Sequence, residues 1–557
     1  MPTLGNIRAY WLGCVRRFAQ ATALHMRSML TSPGGVLTLA SYQHDYGYTT
    51  KQATRTSSLA VGLQQLGAFV ACFAIWPVTH RFGRKKALLI CSATFCVGAI
   101  IQTINTHSLP AFYVGRVIAG VGLGGSSVVV PMFNGEMMPK EMRGQVGSFF
   151  QWFYTFGGRT PVASSADGRA TDLPGIAQAS SPLIGSITAL RRTCPRSILD
   201  SGRFLSLVPA ALLGLGMFTL TESVRWLTVR GRHEEAWESL KWIRADDGEA
   251  TRAEMEEIRY GIEMEVRATE GFRLKGAILL HPPVSAPILL LHSPLTSPSP
   301  FLLLTLPQYL SLSPQTLSPY LTDFSPDLIA NRPPEEMLER DNFRRACTAV
   351  AVFTAQQSTG ATAFAYFGPQ YFKLLVGSKG NSNLLLTAIF GAIKVVACGI
   401  FVLFLADRVG RCHILTTGAA FMAACQLTTA IVVKERPPPP AAQTTGGVVT
   451  GSGIATVALI YLFVIAYNFS WGPLPWPYVA ELFPSRTREP GTALAVASQW
   501  LFNFVFSLAT PYMIRDLGWG TFLFWAGADA AIAFFACFVL AETKGRSLEE
   551  IARAGKR

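Results

Sequence analysis

Long apolar runs punctuate the chain, and the polar residues between them come in short bursts. The runs fall at Ser57–Val78, Ala87–Ile104, Phe112–Phe133, Phe204–Leu220, Ala346–Phe367, Leu384–Leu405, Ile414–Val433, Ile454–Val479, Thr492–Met513 and Thr521–Leu540. A bilayer-spanning helix needs about 20 largely apolar residues. Inside lipid every backbone amide must be bonded within its own segment, so each run predicts a membrane helix. An eleventh run, Val146–Gly157, is too short to cross unaided. The pattern predicts an all-α polytopic membrane protein.

Composition sharpens that picture. Of 557 residues, 50% are hydrophobic and only 15% are charged, against about 25% charged in soluble proteins. A cytosolic enzyme and a mainly disordered chain are both excluded. The formal charge is +14, which by itself would suit nucleic-acid binding. The basic residues, however, cluster after alternate runs: Arg81–Lys86, Lys140 with Arg143, Arg225–Arg244, Arg408 with Arg411, Arg486 with Arg488, and Lys544 with Arg546. The connections Asn105–Pro110 and Arg515–Trp519 carry little charge. By the positive-inside rule the basic side and both termini are cytoplasmic. No basic, aromatic-interleaved soluble domain is present, so no nucleic-acid partner is expected. The ten cysteines form no CxxC pair. They read as small buried residues, and neither a metal nor a cofactor is expected.

The two halves repeat each other. His80-Arg81-Phe82-Gly83-Arg84 matches Asp407-Arg408-Val409-Gly410-Arg411. Pro131, Glu136, Pro139, Arg143 and Gly144 find counterparts in Pro477, Glu481, Pro484, Arg486 and Arg488. Glu222-Ser223-Val224-Arg225 is answered by Glu542-Thr543-Lys544-Gly545-Arg546. One such motif could simply cap a helix end. Three in the same order predict two homologous bundles facing each other across a central path.

These residues resemble the sugar porter family of the major facilitator superfamily. The resemblance rests on Gly115–Gly124 (GRVIAGVGLG), Glu222–Leu227 within TESVRWL, Gln356-Gln357, Gly472–Trp476 (GPLPW), Glu481–Arg488 and Glu542–Leu548 (ETKGRSL), and covers residues 34–157, 203–271 and 342–550. Tyr366–Phe372 (YFGPQYF) and Lys394 in the eighth span are most similar to fungal quinate permease-like and hexose porters. The resemblance implies a major facilitator fold of two pseudo-symmetric six-helix bundles. It implies a secondary active transporter, not an enzyme, in the plasma membrane. The solute would be a monosaccharide or a quinate-like polyhydroxy acid, and protons would be the co-substrate.

Polar groups inside a membrane are costly unless used or paired. A carboxamide both donates and accepts, which suits a vicinal diol. The resemblance sets Gln151 on the fifth span at the family's glutamine contact for sugar hydroxyls and Gln356 and Gln357 at the start of its seventh-span motif, so these are candidate solute contacts. The resemblance adds Thr362 where the family has asparagine, Trp476 as a stacking wall, Gln499 where the family has asparagine, and Asn503. Interhelical hydrogen bonding is the alternative use for each. Lys394 could meet a carboxylate or snorkel to an interface. Arg116 occupies the place of the arginine that pairs with the first-span acid in family symporters. Arg81, Arg84, Glu136, Arg143, Glu222, Arg225, Asp407, Arg408, Arg411, Glu481, Arg486 and Glu542 are expected to act as gate and structural charges.

Three blocks depart from the family. Residues 16–33 carry three arginines and a histidine where a first span belongs, and each arginine at mid-bilayer costs about 2.5–3.5 kcal/mol. The fifth span stops at residues 159–202, and Glu136 and Glu222 stand 86 residues apart where Glu481 and Glu542 stand 61 apart. Residues 276–331 are rich in Leu, Ser and Pro, and their prolines would break a helix. The expected organisation is an N-terminal segment 1–56 with a degraded first span, a first bundle 57–228 with an insertion at 159–202, a central cytoplasmic loop 229–345 with an insertion at 276–331, a second bundle 346–540 and a tail 541–557. The alternatives to transport are an inactive nutrient sensor and a defective product of a faulty gene model. The short stretch after Leu548 disfavours the sensor, and no HExxH, GxSxG or P-loop supports an enzyme.

Overall fold

Glycine decides how closely the first helices pack. The computed structural model describes residues 52–104, 108–137, 147–148, 151–152, 155, 214–280, 337–376, 382–406, 410–437, 451–483, 487–540 and 542. Helices α1 (Ala53–Phe82), α2 (Arg84–Thr103) and α3 (Leu109–Met137) form one group. A Cβ on Gly120 would lie 2.1 Å from the Gln64 carbonyl oxygen of α1, and one on Gly122 would lie 2.5 Å from the Cys91 carbonyl oxygen of α2. The GRVIAGVGLG run thus serves two faces of α3, letting a backbone approach on each. Small residues at helix crossings are the usual route to association where lipid removes the hydrophobic drive.

Residues 214–218 are helical, and three helices follow on the basic side: α4 (Val224–Val229), α5 (His233–Arg244) and α6 (Glu249–Leu280). In α5, Glu234 and Glu235 fill the first turn and Lys241 and Arg244 the last, matching the helix dipole at both ends. Its apolar stripe, Ala236, Leu240 and Ile243, is buried. Helix α6 runs on through Leu280, so the start of the block expected as an insertion at 276 is helical. Pro282 and Pro283 follow, and neither can donate a helix hydrogen bond.

The second group is α7 (Arg340–Ser358), α8 (Ala361–Val376), α9 (Ser382–Ile400) with a π-helical end at Phe401–Leu405, α10 (Arg411–Glu435), α11 (Gly451–Phe469), α12 (Pro475–Leu482), α13 (Arg488–Asp516) and α14 (Gly520–Phe538). The run expected as one span at Ala346–Phe367 is two helices. Gly360 breaks it at φ +79°, where a Cβ would sit 2.6 Å from the Trp525 indole. The run Ile454–Val479 is likewise split into α11 and α12, because Pro473 and Pro475 interrupt the amide ladder. Among the described residues, seven helices are long and apolar enough to cross a membrane: α1, α2, α3, α10, α11, α13 and α14. No strand occurs among the described residues. One contiguous core of buried apolar side chains runs through both groups, and α1 packs along α13.

The degraded first span falls on residues 16–33, outside the described residues. Of the fifth span, residues 147, 148, 151, 152 and 155 are described and helical, and 159–202 lie outside.

Candidate functional site

Two layers of contacts join the helix groups. The first lies at the basic end. Gly83 turns α1 into α2 at φ +91°, which places Arg84 at the start of α2. Its guanidinium forks onto Glu136 at the end of α3, with Nε to Oε2 at 3.0 Å and Nη2 to Oε1 at 2.9 Å. Nη2 also donates to Glu489 in the first turn of α13, across the divide between the groups. The Arg84 and Glu136 side chains are 7% and 6% exposed. Such burial is costly, and the bidentate geometry offsets part of it. The Ser223 hydroxyl donates to the same carboxylate, and the charge of Arg225 also acts on Glu136.

The repeated glutamates share one structural task. Glu222 accepts the Arg84 and Lys85 amides at 2.9 and 3.1 Å, capping α2. Glu542 accepts the Arg411 and Cys412 amides, both at 3.0 Å, capping α10. Each helix N-terminus therefore receives a negative charge from a residue far along the chain. Ser239 of α5 donates to the Glu222 carbonyl at 2.7 Å, and Arg244 donates to the terminal carbonyl of Met137 at 3.2 Å. Arg81 lies over the Phe82 ring at the end of α1. Glu481 is in the last turn of α12. Arg143, Asp407, Arg408 and Arg486 lie outside the described residues.

The second layer is deeper in the apolar region, and three indoles build it. Trp476 of α12 donates Nε1–H to Gln151 Oε1 at 3.2 Å. Trp500 of α13 donates to Ser127 Oγ of α3 at 2.9 Å. Trp152 donates to the Val395 carbonyl of α9 at 3.0 Å. Each bond links a residue before the central helices to one after them. Phe353 meets the Trp476 ring edge-on at 5.0 Å. Gln356 holds the break between α11 and α12, its Nε2 donating to the Trp471 and Gly472 carbonyls at 2.9 and 3.1 Å. Gln357 Oε1 accepts from Thr362 at 2.9 Å, and Asn503 Oδ1 accepts from Ser507 at 3.2 Å. Gln499 is one residue before Trp500. The Oε1 atoms of Gln356 and Gln499 are buried with no hydrogen-bond partner among the described residues.

Lys394 stands on the buried face of α9, in line with Phe390, Cys398 and Phe401, all of them buried. The opposite face carries exposed Val396, Ile400 and Leu403. Arg116 donates Nη1–H to Gln64 Oε1 of α1 at 2.6 Å and lies over the Phe112 ring. Among the described residues no group of three or more His, Cys, Asp or Glu is placed to hold a metal. Sequence reasoning did not single out Gln64, Ser127, Trp152 or Glu489. Only for Glu489 was there a local signal, its place in the first turn of a helix beside an arginine-rich motif.

The family model described as "Sugar (and other) transporter" matches residues 31–165, 201–284 and 331–554. The intervals it leaves between those stretches lie within 159–202 and 276–331, the two internal blocks that depart from the pattern. A quinate permease of Emericella nidulans is 28% identical over 548 residues, 98% of this chain and 88% of the relative. A probable quinate permease of Aspergillus fumigatus is 28% identical over 551 residues, 98% of this chain and 87% of the relative. Among solved structures, the proton:xylose symporter XylE bound to 6-bromo-6-deoxy-D-glucose aligns with a TM-score of 0.67 at 20% identity, covering 98% of this chain and 99% of that one. An inward-open XylE from E. coli aligns with a TM-score of 0.60 at 18% identity, over 97% of this chain and 98% of that one.

Proposed function

The chain belongs to the sugar (and other) transporter family, and from that premise we propose that this multi-pass membrane protein carries a sugar or a quinate-like polyhydroxy acid between its two helix groups. The observation that carries the reading is the pair of buried acceptors, Gln356 Oε1 and Gln499 Oε1, which have no hydrogen-bond partner among the described residues. A solute hydroxyl supplies the missing donor, and an indole face supplies a wall for a hydroxylated ring. The partners of Gln151 and Gln357 are side chains that a solute hydroxyl can replace. The similarity to quinate permeases and the placement of Lys394 on the buried face of α9 favour the acid over a neutral hexose.

Movement of solute then requires the two groups to separate at one end and close at the other. Arg84, with Glu136 on its own side and Glu489 on the other, forms the contact that breaks when the basic end opens. In this reading the basic end faces the cytoplasm and protons are the co-transported ion. A titration of purified protein with quinate and with glucose, followed by tryptophan fluorescence, tests the binding step. A saturable change that Trp476→Phe reduces supports the reading. No change with either solute in folded protein contradicts it.

A further inference from the structure

Helix α14 carries one acidic residue, Asp529, in the sequence Gly520–Phe538. Its side chain is fully buried, and neither carboxyl oxygen has a hydrogen-bond partner among the described residues. Helix α14 packs antiparallel to α10, and two contacts fix the register. Cys412 Sγ meets the Leu540 carbonyl at 3.5 Å at one end, and Lys434 Nζ lies 5.2 Å from the centre of the Trp519 ring at the other. That register sets Asp529 level with the segment of α10 that holds Cys425 and Gln426. Gln426 is also fully buried, and neither atom of its amide has a partner among the described residues. Two orphan polar side chains thus share one depth on the buried faces of two packed helices.

Among the described residues the surroundings offer no counter-charge. From α10, Cys425 is the titratable group at this depth, while Arg411, Cys412 and His413 sit at one end and Lys434 and Glu435 at the other. Along α14 the other titratable group is Cys537, two turns away. From α8, Tyr371 bonds Trp525 one turn from Asp529. The charged residues of α7 all lie in its first two turns, and those of α13 lie at its two ends. Among the described residues an ionised carboxylate here would have neither a donor nor a cation, which a low-dielectric interior penalises heavily. A neutral carboxylic acid has an O–H to give and a carbonyl to receive. The Gln426 amide offers the complementary acceptor and donor.

We propose that Asp529, with Gln426 as its partner, is a proton-binding site buried between α10 and α14. The carboxylate takes up one proton to become the neutral acid, and releases that proton when the helix pair admits water or a cation. The assignment concerns a different pair of helices from the solute contacts and stands whether or not the chain moves sugar or quinate.

Infrared spectroscopy of the full chain in lipid, compared with Asp529→Asn, tests it. At neutral pH the difference spectrum should show the carbonyl stretch of a neutral carboxylic acid, present only in the unsubstituted protein. Gln426→Leu should shift that band. The band should fade as the pH is raised into the alkaline range. A second readout is labelling of the unsubstituted protein with dicyclohexylcarbodiimide at neutral pH. An adduct on Asp529, with exposed Asp516 unmodified, is expected. No acid band at neutral pH, or a band indifferent to alkaline pH, overturns the proposal. If Asp529→Asn does not fold, the adduct decides, and an unmodified Asp529 overturns it. Where both readouts exist and differ, the infrared band decides.

Discussion

Arg84 and Glu489 stand 405 residues apart in the chain, yet Nη2 of Arg84 bonds the Glu489 carboxylate and, together with Nε, also holds Glu136. A single buried cation thus ties the end of α3 to the start of α13. Removing one of its two acids should cost different amounts. Glu136→Gln breaks a bidentate pair inside one helix group and should destabilise by about 3–5 kcal/mol. Glu489→Gln leaves that pair intact and should cost about 1–2 kcal/mol. Thermal denaturation of the three purified proteins checks the order, and equal losses would show that Glu489 belongs to the same buried unit.

Glu222 and Glu542 cap equivalent helices, but the glycines beside them differ. A Cβ on Gly83 would approach Glu222 to 2.5 Å, and one on Gly410 would approach Glu542 to 2.8 Å. Gly83 alone also has a positive φ, +91°. Gly83→Ala should therefore destabilise by about 1–2 kcal/mol more than Gly410→Ala. Matched denaturation curves check it, and equal effects would mean that side-chain crowding, not backbone conformation, sets the cost.

Trp476→Ala removes the indole that bonds Gln151 and meets Phe353. Apparent solute affinity should fall by about 1–2 kcal/mol, roughly 5- to 30-fold. Trp476→Phe keeps the wall and loses the donor, so its loss should be smaller. Equilibrium binding separates the two, and an unchanged affinity in both would remove Trp476 from the solute path.

Lys394→Met separates the two solute classes. With a carboxylate solute, binding of the acid should be lost while any hexose binding remains. Competition between labelled glucose and unlabelled quinate measures both, and equal loss of both would make Lys394 a structural lysine.

Much of the architecture was legible because membrane helices are written in runs of apolar residues, and Ser57–Val78, Phe112–Phe133 and Thr492–Met513 all fall within observed helices. The breaks were not, since Gly360 and the Gly472-Pro473 turn lie inside continuous apolar stretches that a hydropathy pattern passes over. Motif spacing pointed to Glu222 and Glu542 as gate charges. It could not say that each closes the N-terminus of a helix, because that contact spans more than a hundred residues of chain. Ser127 and Gln64 look like ordinary small or polar helix residues, and only packing reveals Trp500 and Arg116 as their partners.

The most direct measurement is uptake by the full chain reconstituted in liposomes, with labelled quinate and labelled glucose, inside-acid and outside-acid. The account predicts saturable uptake of at least one solute, stimulated by an inward proton gradient and strongly reduced in Trp476→Ala. No saturable uptake of either solute by correctly inserted protein would contradict it.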